Sequence, residues 1–286
     1  MNLKNIFLLG DIGFFNYNLN LVCNSIYNTI KPDDLIVILG DNFYPYGIIN
    51  KNDTQIDDFN DIFNKFQNPI YSILGNHDYL LNPKSQIKNE NWIMDDFYYK
   101  KEYENCELYF LDTIQFNIHT WVSKEKIEHI HNNSVKNLIN NQINWIETEM
   151  SKDIKKPKIV FGHYPILTNG IYYDKMDGLY KKLINIFKKY NVLTYISGHE
   201  HNIQFIKRKR KNYILNQIII GSSAENRDEP DMSKKRDMFD NSNIFYGKLK
   251  FDDNIIIDFI NKYGNTSYSY ILESKDLNNN NKDDEL

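Results

Sequence analysis

The first half of the chain alternates short, continuously apolar runs with longer segments in which apolar residues recur at helical intervals. Runs of four or five apolar residues are too short for helices and are typical of strands buried on both faces. The pattern predicts strands at 6–9, 35–39 and 70–74, and helices at 19–30 and 59–66. This alternation indicates parallel strands joined by helical crossovers.

The second half begins with two neighbouring strands and continues with a long polar stretch. Strands are expected at 97–101 and 108–111, and helices at 135–150 and 178–190. The irregular, polar residues 117–133 are interpreted as a long loop or insertion. The remaining apolar runs predict strands at 159–161, 193–197, 203–206, 213–220, 245–251, 255–260 and 268–272.

Neither a linker nor an internal repeat divides this pattern. It predicts an α/β fold in which two sheets pack face to face as a β-sandwich flanked by helices. One domain would span residues 1–273, with its second sheet completed by the C-terminal strands. Residues 274–286 are rich in Asn, Asp and Lys, and are expected to be a disordered polar tail.

The composition of the chain limits the kinds of protein that it can be. The chain has 41% hydrophobic and 25% charged residues, as soluble globular proteins do, and its net charge is −4. A general attraction to nucleic acid or to an anionic membrane is therefore not expected, and no run approaches the roughly 18 apolar residues of a membrane span. Cys23 and Cys106 are too few for a disulfide framework, which favours a reducing compartment.

The two ends of the chain bear on its localisation. The N-terminal apolar run is too short for a signal peptide, so a cytoplasmic protein is expected. The last four residues, Asp-Asp-Glu-Leu at 283–286, differ by one residue from a retrieval signal of the endoplasmic reticulum, which is the alternative localisation. We interpret them as part of the polar tail.

Five of the predicted strands end in a glycine that is followed at once by residues able to bind metal ions. Because the carboxyl ends of parallel strands lie along one edge of a sheet, these residues should converge although they are distant in sequence. Singly, Asp11 or Asn76 is as well explained as a helix cap, but capping does not explain four histidines at strand ends. The five motifs are Gly10-Asp11-Ile12-Gly13, Gly40-Asp41-Asn42-Phe43-Tyr44, Gly75-Asn76-His77-Asp78, Gly162-His163-Tyr164-Pro165 and Gly198-His199-Glu200-His201-Asn202.

The residue types in these motifs suit hydrolysis of a phosphate ester. Carboxylate and phenol oxygens bind hard, highly charged cations, and imidazole binds zinc and iron. A bridging carboxylate can hold two cations roughly 3.5–4 Å apart, and such a pair activates a water and clamps a phosphoryl group. The motifs therefore indicate a two-metal phosphoesterase site.

In order and spacing, the five motifs resemble those of the metallophosphoesterases. Tyr44 narrows the resemblance to the purple acid phosphatases of the small tartrate-resistant type, and the resemblance covers residues 5–272. It implies a metallophosphoesterase-like α/β/β/α fold with the metal site at the strand C-terminal ends. It also implies hydrolysis of phosphate monoesters, with a metal-bound hydroxide as the nucleophile.

The same resemblance implies which residues hold the two metal ions. Asp41 would bridge the two ions, and Tyr44 bound to ferric iron would give a purple colour. A ferric ion would be bound by Asp11, Asp41, Tyr44 and His201, and a second ion of iron, zinc or manganese by Asp41, Asn76, His163 and His199.

Catalytic roles are implied for His77 and Asp41, and substrate binding for Asn76, His77 and Tyr172. His77 would not bind metal but would contact the phosphate or protonate the leaving group, a task suited to imidazole. The small purple phosphatases usually carry a histidine nine residues after the residue that matches His163. Here that position is Tyr172, which puts an acid pH optimum in question.

Two other functions remain open. One is a phosphodiesterase or nucleotide hydrolase of the wider metallophosphoesterase group, and the other is an inactive binding protein of the same fold. The second is less consistent with a chain that keeps all seven ligands. The expected partner is a small phosphorylated substrate or a phosphoprotein, without membrane or nucleic acid, and a monomer is favoured.

Two polar segments lie outside the motifs. Residues 117–136 occupy the position of a loop that overhangs the site in the small purple phosphatases, so they are either a lid or a flexible insertion. His119, His129 and His131 in this segment are expected to be solvated. The basic residues 207–211 are interpreted as a solvated hairpin tip.

Overall fold

The computed structural model describes residues 2–116, 122–173, 175–210, 212–232 and 237–273. These residues form two mixed sheets and five helices, in agreement with the predicted α/β sandwich. None of these helices combines the length and the apolar character needed to cross a membrane. The predicted polar tail at 274–286 lies outside the described residues.

Most elements lie where the apolar pattern predicts them. The helices are α1 (Tyr17–Tyr27), α2 (Gln55–Phe63), α3 (Lys124–His131), α4 (Val135–Met150) and α5 (Asp177–Lys189). The strands are β1 (Asn5–Leu9), β2 (Leu35–Ile38), β3 (Ile70–Ser72), β4 (Tyr99–Glu102), β5 (Glu107–Phe110), β6 (Lys158–Phe161), β7 (Val192–Ser197), β8 (Ile203–Arg210), β9 (Tyr213–Ile220), β10 (Met238–Asp240), β11 (Phe245–Phe251), β12 (Ile255–Asn261) and β13 (Thr266–Ile271).

Each sheet has a group of parallel strands at its centre. The first sheet has the order β13-β12-β11-β1-β2-β3, in which β1, β2 and β3 are parallel. The second has the order β10-β8-β9-β7-β6-β5-β4, in which β5, β6, β7 and β9 are parallel. The five motifs follow β1, β2, β3, β6 and β7, so they all leave the carboxyl ends of parallel strands.

The last three strands complete the first sheet and not the second, which corrects the prediction from sequence. β11 pairs antiparallel with β1, with Lys250 opposite Asn5. β12 and β13 then extend the sheet outward from β11. Local apolar patterns identify a strand but do not identify its neighbours, which depend on tertiary packing.

Large side chains fill the space between the two sheets. The ring centroid of Tyr71 in β3 lies 5.4 Å from that of Phe110 in β5, and Phe205 in β8 stacks on Tyr270 in β13 at 4.4 Å. Strands β2 and β6 are buried along their whole length, as strands covered on both faces should be. The packing holds the loops that follow the two sets of parallel strands next to each other.

The segment interpreted as an irregular loop contains a helix, so that interpretation was wrong for residues 124–131. Ser123 caps α3, because its hydroxyl oxygen accepts a hydrogen bond from the Lys126 amide at 3.2 Å. Ile127 is fully buried. The cap and the apolar spacing were present in the sequence, but the many charged residues around them obscured the pattern. Residues 117–121 lie outside the described residues.

His131 is partly buried, contrary to the prediction that it is solvated. Its Nε2 lies 2.9 Å from the Tyr79 hydroxyl, and its ring centroid lies 4.2 Å from that of Phe97. Burial lowers its pKa to about 4. His129 is exposed as predicted, and His119 lies outside the described residues.

The basic residues 207–210 lie in a hairpin as predicted, but Lys207 and Arg208 are not simply solvated, and residue 211 lies outside the described residues. β8 and β9 pair antiparallel up to Arg210 and Tyr213. Both guanidinium nitrogens of Arg208 bind the carboxylate of Asp237 at 2.7 Å, and Lys207 pairs with Glu273 at 2.6 Å. Lys207 and Arg208 therefore attach the hairpin to the segments that contain Glu273 and Asp237, through hydrogen bonds between charged groups.

Candidate metal centre

The seven predicted ligands converge where the two sheets meet. No member of this set is more than 6% exposed. The nearest ligand atoms of Asp11, Asp41 and His163 all lie within 4.8 Å of one another. The first sheet contributes Asp11, Asp41, Tyr44 and Asn76, and the second contributes His163, His199 and His201.

Tyr44 lies at the centre of one half of the cluster. Its hydroxyl oxygen is 3.2 Å from Asp11 Oδ1, 3.0 Å from Asp41 Oδ2 and 3.2 Å from His201 Nε2. Burial and the two carboxylates raise the pKa of Tyr44 well above its ordinary value. A phenolate at this position would therefore require a neighbouring positive charge.

His163 lies at the centre of the other half. Its Nδ1 donates to the Leu39 carbonyl oxygen at 2.9 Å, which leaves a lone pair on Nε2 of the neutral ring. Nε2 faces Asn76 Oδ1 at 3.0 Å and Asp41 Oδ1 at 3.5 Å. Three acceptor atoms thus face one another without a proton between them, and a cation would satisfy all three.

A buried imidazole nitrogen supports this interpretation. Among the described residues, Nε2 of His199 has no hydrogen-bond partner. Buried nitrogens without partners are costly, and they are expected where a nitrogen binds a metal ion or a substrate. The His199 amide donates to Asp11 Oδ2 at 2.8 Å, which ties the two ligand loops together.

The protonation states of the three histidines suit metal binding. Burial lowers the pKa of His163 and lowers that of His199 well below its ordinary value. Burial also lowers the pKa of His201, to about 3. All three rings are therefore neutral near pH 7, and the neutral ring is the form that binds metal. The residues present fit a site for metal ions.

Three of the candidate ligand residues have a left-handed backbone. The φ angles are +57° at Asp11, +51° at Asp41 and +71° at His199. A residue with a side chain adopts this region at a cost, and such outliers are common at functional sites. The sequence does not reveal these conformations, because none of the three positions is a glycine.

Gly75, which directly precedes Asn76, has no space for a side chain. A Cβ atom at this position would lie 2.1 Å from Asp41 Oδ1 and 2.2 Å from the Asp41 amide nitrogen. No side chain could fit without moving Asp41. The glycine therefore permits the close approach of the loops after β2 and β3, as the sequence predicts.

His77 lies at the accessible side of the cluster, with its side chain 22% exposed. Its Nδ1 donates to the Pro45 carbonyl oxygen at 2.6 Å. Its Nε2 is 4.0 Å from Asp41 Oδ2, and its amide donates to Asp41 Oδ1 at 2.9 Å. The imidazole thus borders the cluster, with Nδ1 already occupied by the backbone.

Tyr172 lies beside the half of the cluster that contains His163. It is buried, and its ring centroid is 4.4 Å from that of His199. Lys175 Nζ lies 5.0 Å from the centroid of the same ring. The structure therefore brings Tyr172 to the predicted site.

Asp78 supports the cluster and was missed by the sequence interpretation. Its carboxylate accepts hydrogen bonds from the amides of Asn42 and Gly75 at 3.1 and 2.7 Å, and from Gln86 Nε2 at 2.8 Å. Burial and the charge of Asp41 raise its pKa to about 7. It fixes the loops after β2 and β3 relative to each other. In the sequence, the only indication of this role was the position of Asp78 next to His77 in the third motif.

Arg227 also borders the cluster without having been predicted. Its amide donates to the His201 carbonyl oxygen at 3.0 Å, and its side chain is exposed. Its positive charge opposes the rise in the pKa of Asp11 that burial and Asp41 cause. It adds a cation at the entrance of an otherwise acidic site.

Comparisons with known proteins agree with this arrangement. The family model of the calcineurin-like phosphoesterases matches residues 4–202. Purple acid phosphatase 3 from Arabidopsis thaliana is 29% identical over 63% of this chain and 51% of its own length. Tartrate-resistant acid phosphatase type 5 from Sus scrofa is 28% identical over 64% of this chain and 58% of its own length. The chain therefore spans little more than half the length of these relatives.

Solved structures show the same fold. GAP50, the anchor in the inner membrane complex of Plasmodium, has a TM-score of 0.72 at 21% identity, over 95% of this chain and 89% of its own. A purple acid phosphatase from yellow lupin (Lupinus luteus) seeds has a TM-score of 0.71 at 13% identity, over 94% of this chain and 53% of its own. With the family model matching well over half of its length, this chain belongs to the calcineurin-like phosphoesterase family, which implies a dinuclear metal centre.

Proposed function

We propose that this chain hydrolyses phosphate monoesters at a dinuclear metal centre formed by the seven converging side chains. The observation that carries the proposal is the contact of His163 Nε2 with two oxygen acceptors, because that contact calls for a cation. The similarity to purple acid phosphatases supports the choice of a monoester substrate.

Asp41 would help to hold both ions. Its Oδ2 is 3.0 Å from the Tyr44 hydroxyl in one half of the cluster, and its Oδ1 is 3.5 Å from His163 Nε2 in the other. One oxygen therefore serves each half. The first ion, proposed as ferric iron, would be held by Asp11, Asp41, Tyr44 and His201, and the second, proposed as iron, zinc or manganese, by Asp41, Asn76, His163 and His199.

When bound, two such ions supply charge neutralisation for the phosphoryl group and activation of the attacking water. His77 would act in its cationic form: its Nδ1 keeps the proton that it donates to the Pro45 carbonyl oxygen, and its Nε2 would give a second proton to the leaving oxygen, which leaves the ring neutral. Asn76 and Tyr172 would orient the phosphate from the side of His199. Burial of the ligands keeps bulk water away and strengthens every charge interaction in the site.

Replacing Asp41 and His77 separately tests these roles. Asp41→Asn should remove nearly all hydrolysis and lower the metal content, because it weakens both halves of the cluster. His77→Ala should lower turnover by roughly 10²-fold, the usual share of one acid–base group, and leave the metal content intact. Phosphate release and elemental analysis on the same preparations would measure both effects.

Loss of metal in the His77 variant, or near-normal activity in the Asp41 variant, would contradict the assigned roles. Comparing an aryl monoester, a bis-ester and a nucleotide on one preparation separates a monoesterase from a phosphodiesterase or nucleotide hydrolase. Tight metal binding without turnover of any of the three would instead identify a binding protein.

A further inference from the structure

His201 has a carboxylate beside the ring nitrogen that does not face the cluster. Its Nε2 is 3.2 Å from the Tyr44 hydroxyl oxygen and 3.7 Å from Asp11 Oδ1, so Nε2 is the atom placed to bind a metal ion. A neutral imidazole that binds metal through Nε2 carries its proton on Nδ1. In His201 this Nδ1 lies 3.8 Å from Glu225 Oε2. None of the roles proposed above involves Glu225.

The backbone of Glu225 is held next to His201 on both sides. The preceding residue, Ala224, is fully buried, and its carbonyl oxygen accepts a hydrogen bond from Asn16 Nδ2 at 3.0 Å. Two residues after Glu225, the Arg227 amide donates to the His201 carbonyl oxygen at 3.0 Å. The Glu225 side chain is less restricted, because it is 43% exposed. A movement of about 1 Å would bring its Oε2 within hydrogen-bond distance of Nδ1.

The contrast with His163 shows what a charged acceptor adds. Nδ1 of His163 donates to the Leu39 carbonyl oxygen at 2.9 Å, which fixes the ring but brings no net charge. A carboxylate at the same position also raises the basicity of the ring, so the opposite nitrogen binds a cation more tightly. Because the attraction grows with the charge of the ion, a carboxylate suits the half of the cluster proposed for ferric iron.

We infer that Glu225 is a positioning residue that accepts a hydrogen bond from His201 Nδ1 and thereby orients the ring and strengthens binding of the first metal ion. This inference rests on the metal centre of the proposed function, but not on the identity of the substrate. It assigns a role to a residue outside the five motifs.

Zinc titration of the metal-free protein tests the inference without an activity assay. Calorimetry with Zn²⁺ alone would give a dissociation constant for each of the two metal positions. Glu225→Met keeps the length of the side chain but has no carboxylate. It should weaken one position by roughly 10- to 100-fold, the usual effect of such a partner, and leave the position without His201 unchanged. Glu225→Gln keeps a neutral acceptor oxygen and should show a smaller loss.

Asp228→Asn is the matched control. Asp228 is exposed and lies in the same loop as Glu225, so this variant removes a negative charge from the loop but leaves the carboxylate beside His201. Both zinc dissociation constants should stay unchanged.

The hydrogen bond itself can be observed by nuclear magnetic resonance of the zinc-loaded protein with isotope-labelled histidine. The Nδ1 proton of His201 should exchange slowly with water in the unmodified protein and faster in Glu225→Met. A side chain that only filled space would not change this exchange.

The inference is overturned if Glu225→Met binds both zinc ions as tightly as the unmodified protein, or if Asp228→Asn weakens binding equally. It is also overturned if Glu225→Met weakens both positions to the same extent. Turnover of monoesters together with unaltered zinc binding in Glu225→Met would contradict this inference alone. The expected loss of zinc affinity, without turnover of any ester by the unmodified protein, would contradict the proposed function and leave the role of Glu225 in place.

Discussion

Asp11, Asp41 and His199 combine a polar side chain with a backbone conformation that suits glycine. Each left-handed residue costs about 1–2 kcal/mol relative to an ordinary conformation. Glycine would remove that cost but would supply no ligand atom. At these three positions the chemistry of the side chain therefore outweighs the conformational preference of the backbone.

Tyr44 gives a prediction that concerns a single oxygen atom. If the first ion is ferric, the concentrated protein should be purple, and Tyr44→Phe should abolish the visible band because the phenol oxygen is lost. Phe14→Leu is a suitable control, since it changes the ring stacked on Tyr44 but keeps the oxygen. Visible absorption spectra of the three proteins would decide the point.

A colourless protein that still holds two metal ions and hydrolyses esters would show that the first ion is not ferric iron bound to Tyr44. Retention of the band in Tyr44→Phe would exclude this phenol as its source. Either result would contradict the assignment of Tyr44 as a ligand of ferric iron, but not the presence of metal ions at the cluster.

The convergence of the candidate ligands could be predicted at the level of elements, because five of the seven directly follow a glycine at the end of an apolar run. Parallel strands bring such ends together, so the position of His163 or His199 follows from the pattern alone. The orientation of the two Asp41 oxygens towards different halves of the site depends on the loops around it. This orientation depends on tertiary packing, so it could not be predicted from the motif.

Helix α3 is the opposite case, because its sequence contains only weak indications of the helix that forms there. Its charged residues are typical of a loop, yet Ile127 is buried and Lys126 Nζ donates to the Leu80 carbonyl oxygen at 2.5 Å. His131 adds a hydrogen bond to Tyr79. These contacts attach α3 to the turn Asp78–Leu80, which directly follows His77.

Removing one of these contacts should loosen α3 without unfolding the sheets. His131→Ala loses a hydrogen bond of about 1 kcal/mol, so amide hydrogen exchange in α3 should accelerate by roughly fivefold. His129→Ala, in the same helix but exposed, should leave the exchange rates unchanged. Equal acceleration in both variants would mean that the Tyr79 contact does not hold the helix.

Asp112 connects parts of the whole molecule that are distant in sequence. Its carboxylate accepts hydrogen bonds from the Tyr79 hydroxyl and from Gln115 Nε2, and its amide donates to Gln142 of α4 at 3.0 Å. Burial raises its pKa from 3.8 to about 7. Between about pH 4 and about pH 7, the folded chain therefore holds a proton that the unfolded chain has released.

The contribution of Asp112 to stability should consequently fall as pH rises through that window. The loss is at most on the order of 4 kcal/mol, from about three pKa units. Asp112→Asn cannot release a proton, so its free energy of unfolding should fall less than that of the unmodified protein. Urea denaturation at pH 5 and pH 8 would measure the difference, and two equal falls would contradict it.

Metal ions bound at the cluster would connect the two sheets, because each sheet supplies part of the ligand set. Ions that bind only the folded chain at 100 times their dissociation constant stabilise it by about 2.7 kcal/mol. Chelation should therefore lower the melting temperature by roughly 5–10 °C for a chain of this size. Asp41→Asn should show little change on chelation, and an equal shift in both proteins would place the stabilising ion elsewhere.

The pairing of β1 with β11 has a consequence for the order of events during synthesis. β1 directly precedes the first motif and leaves the ribosome early, but one of its two neighbours in the sheet is made only after the last motif, at Phe245–Phe251. Until then one edge of an almost wholly buried strand has no partner, and such edges favour aggregation. Ribosome-bound intermediates of this chain should therefore depend on chaperones until nearly the whole sequence has been translated.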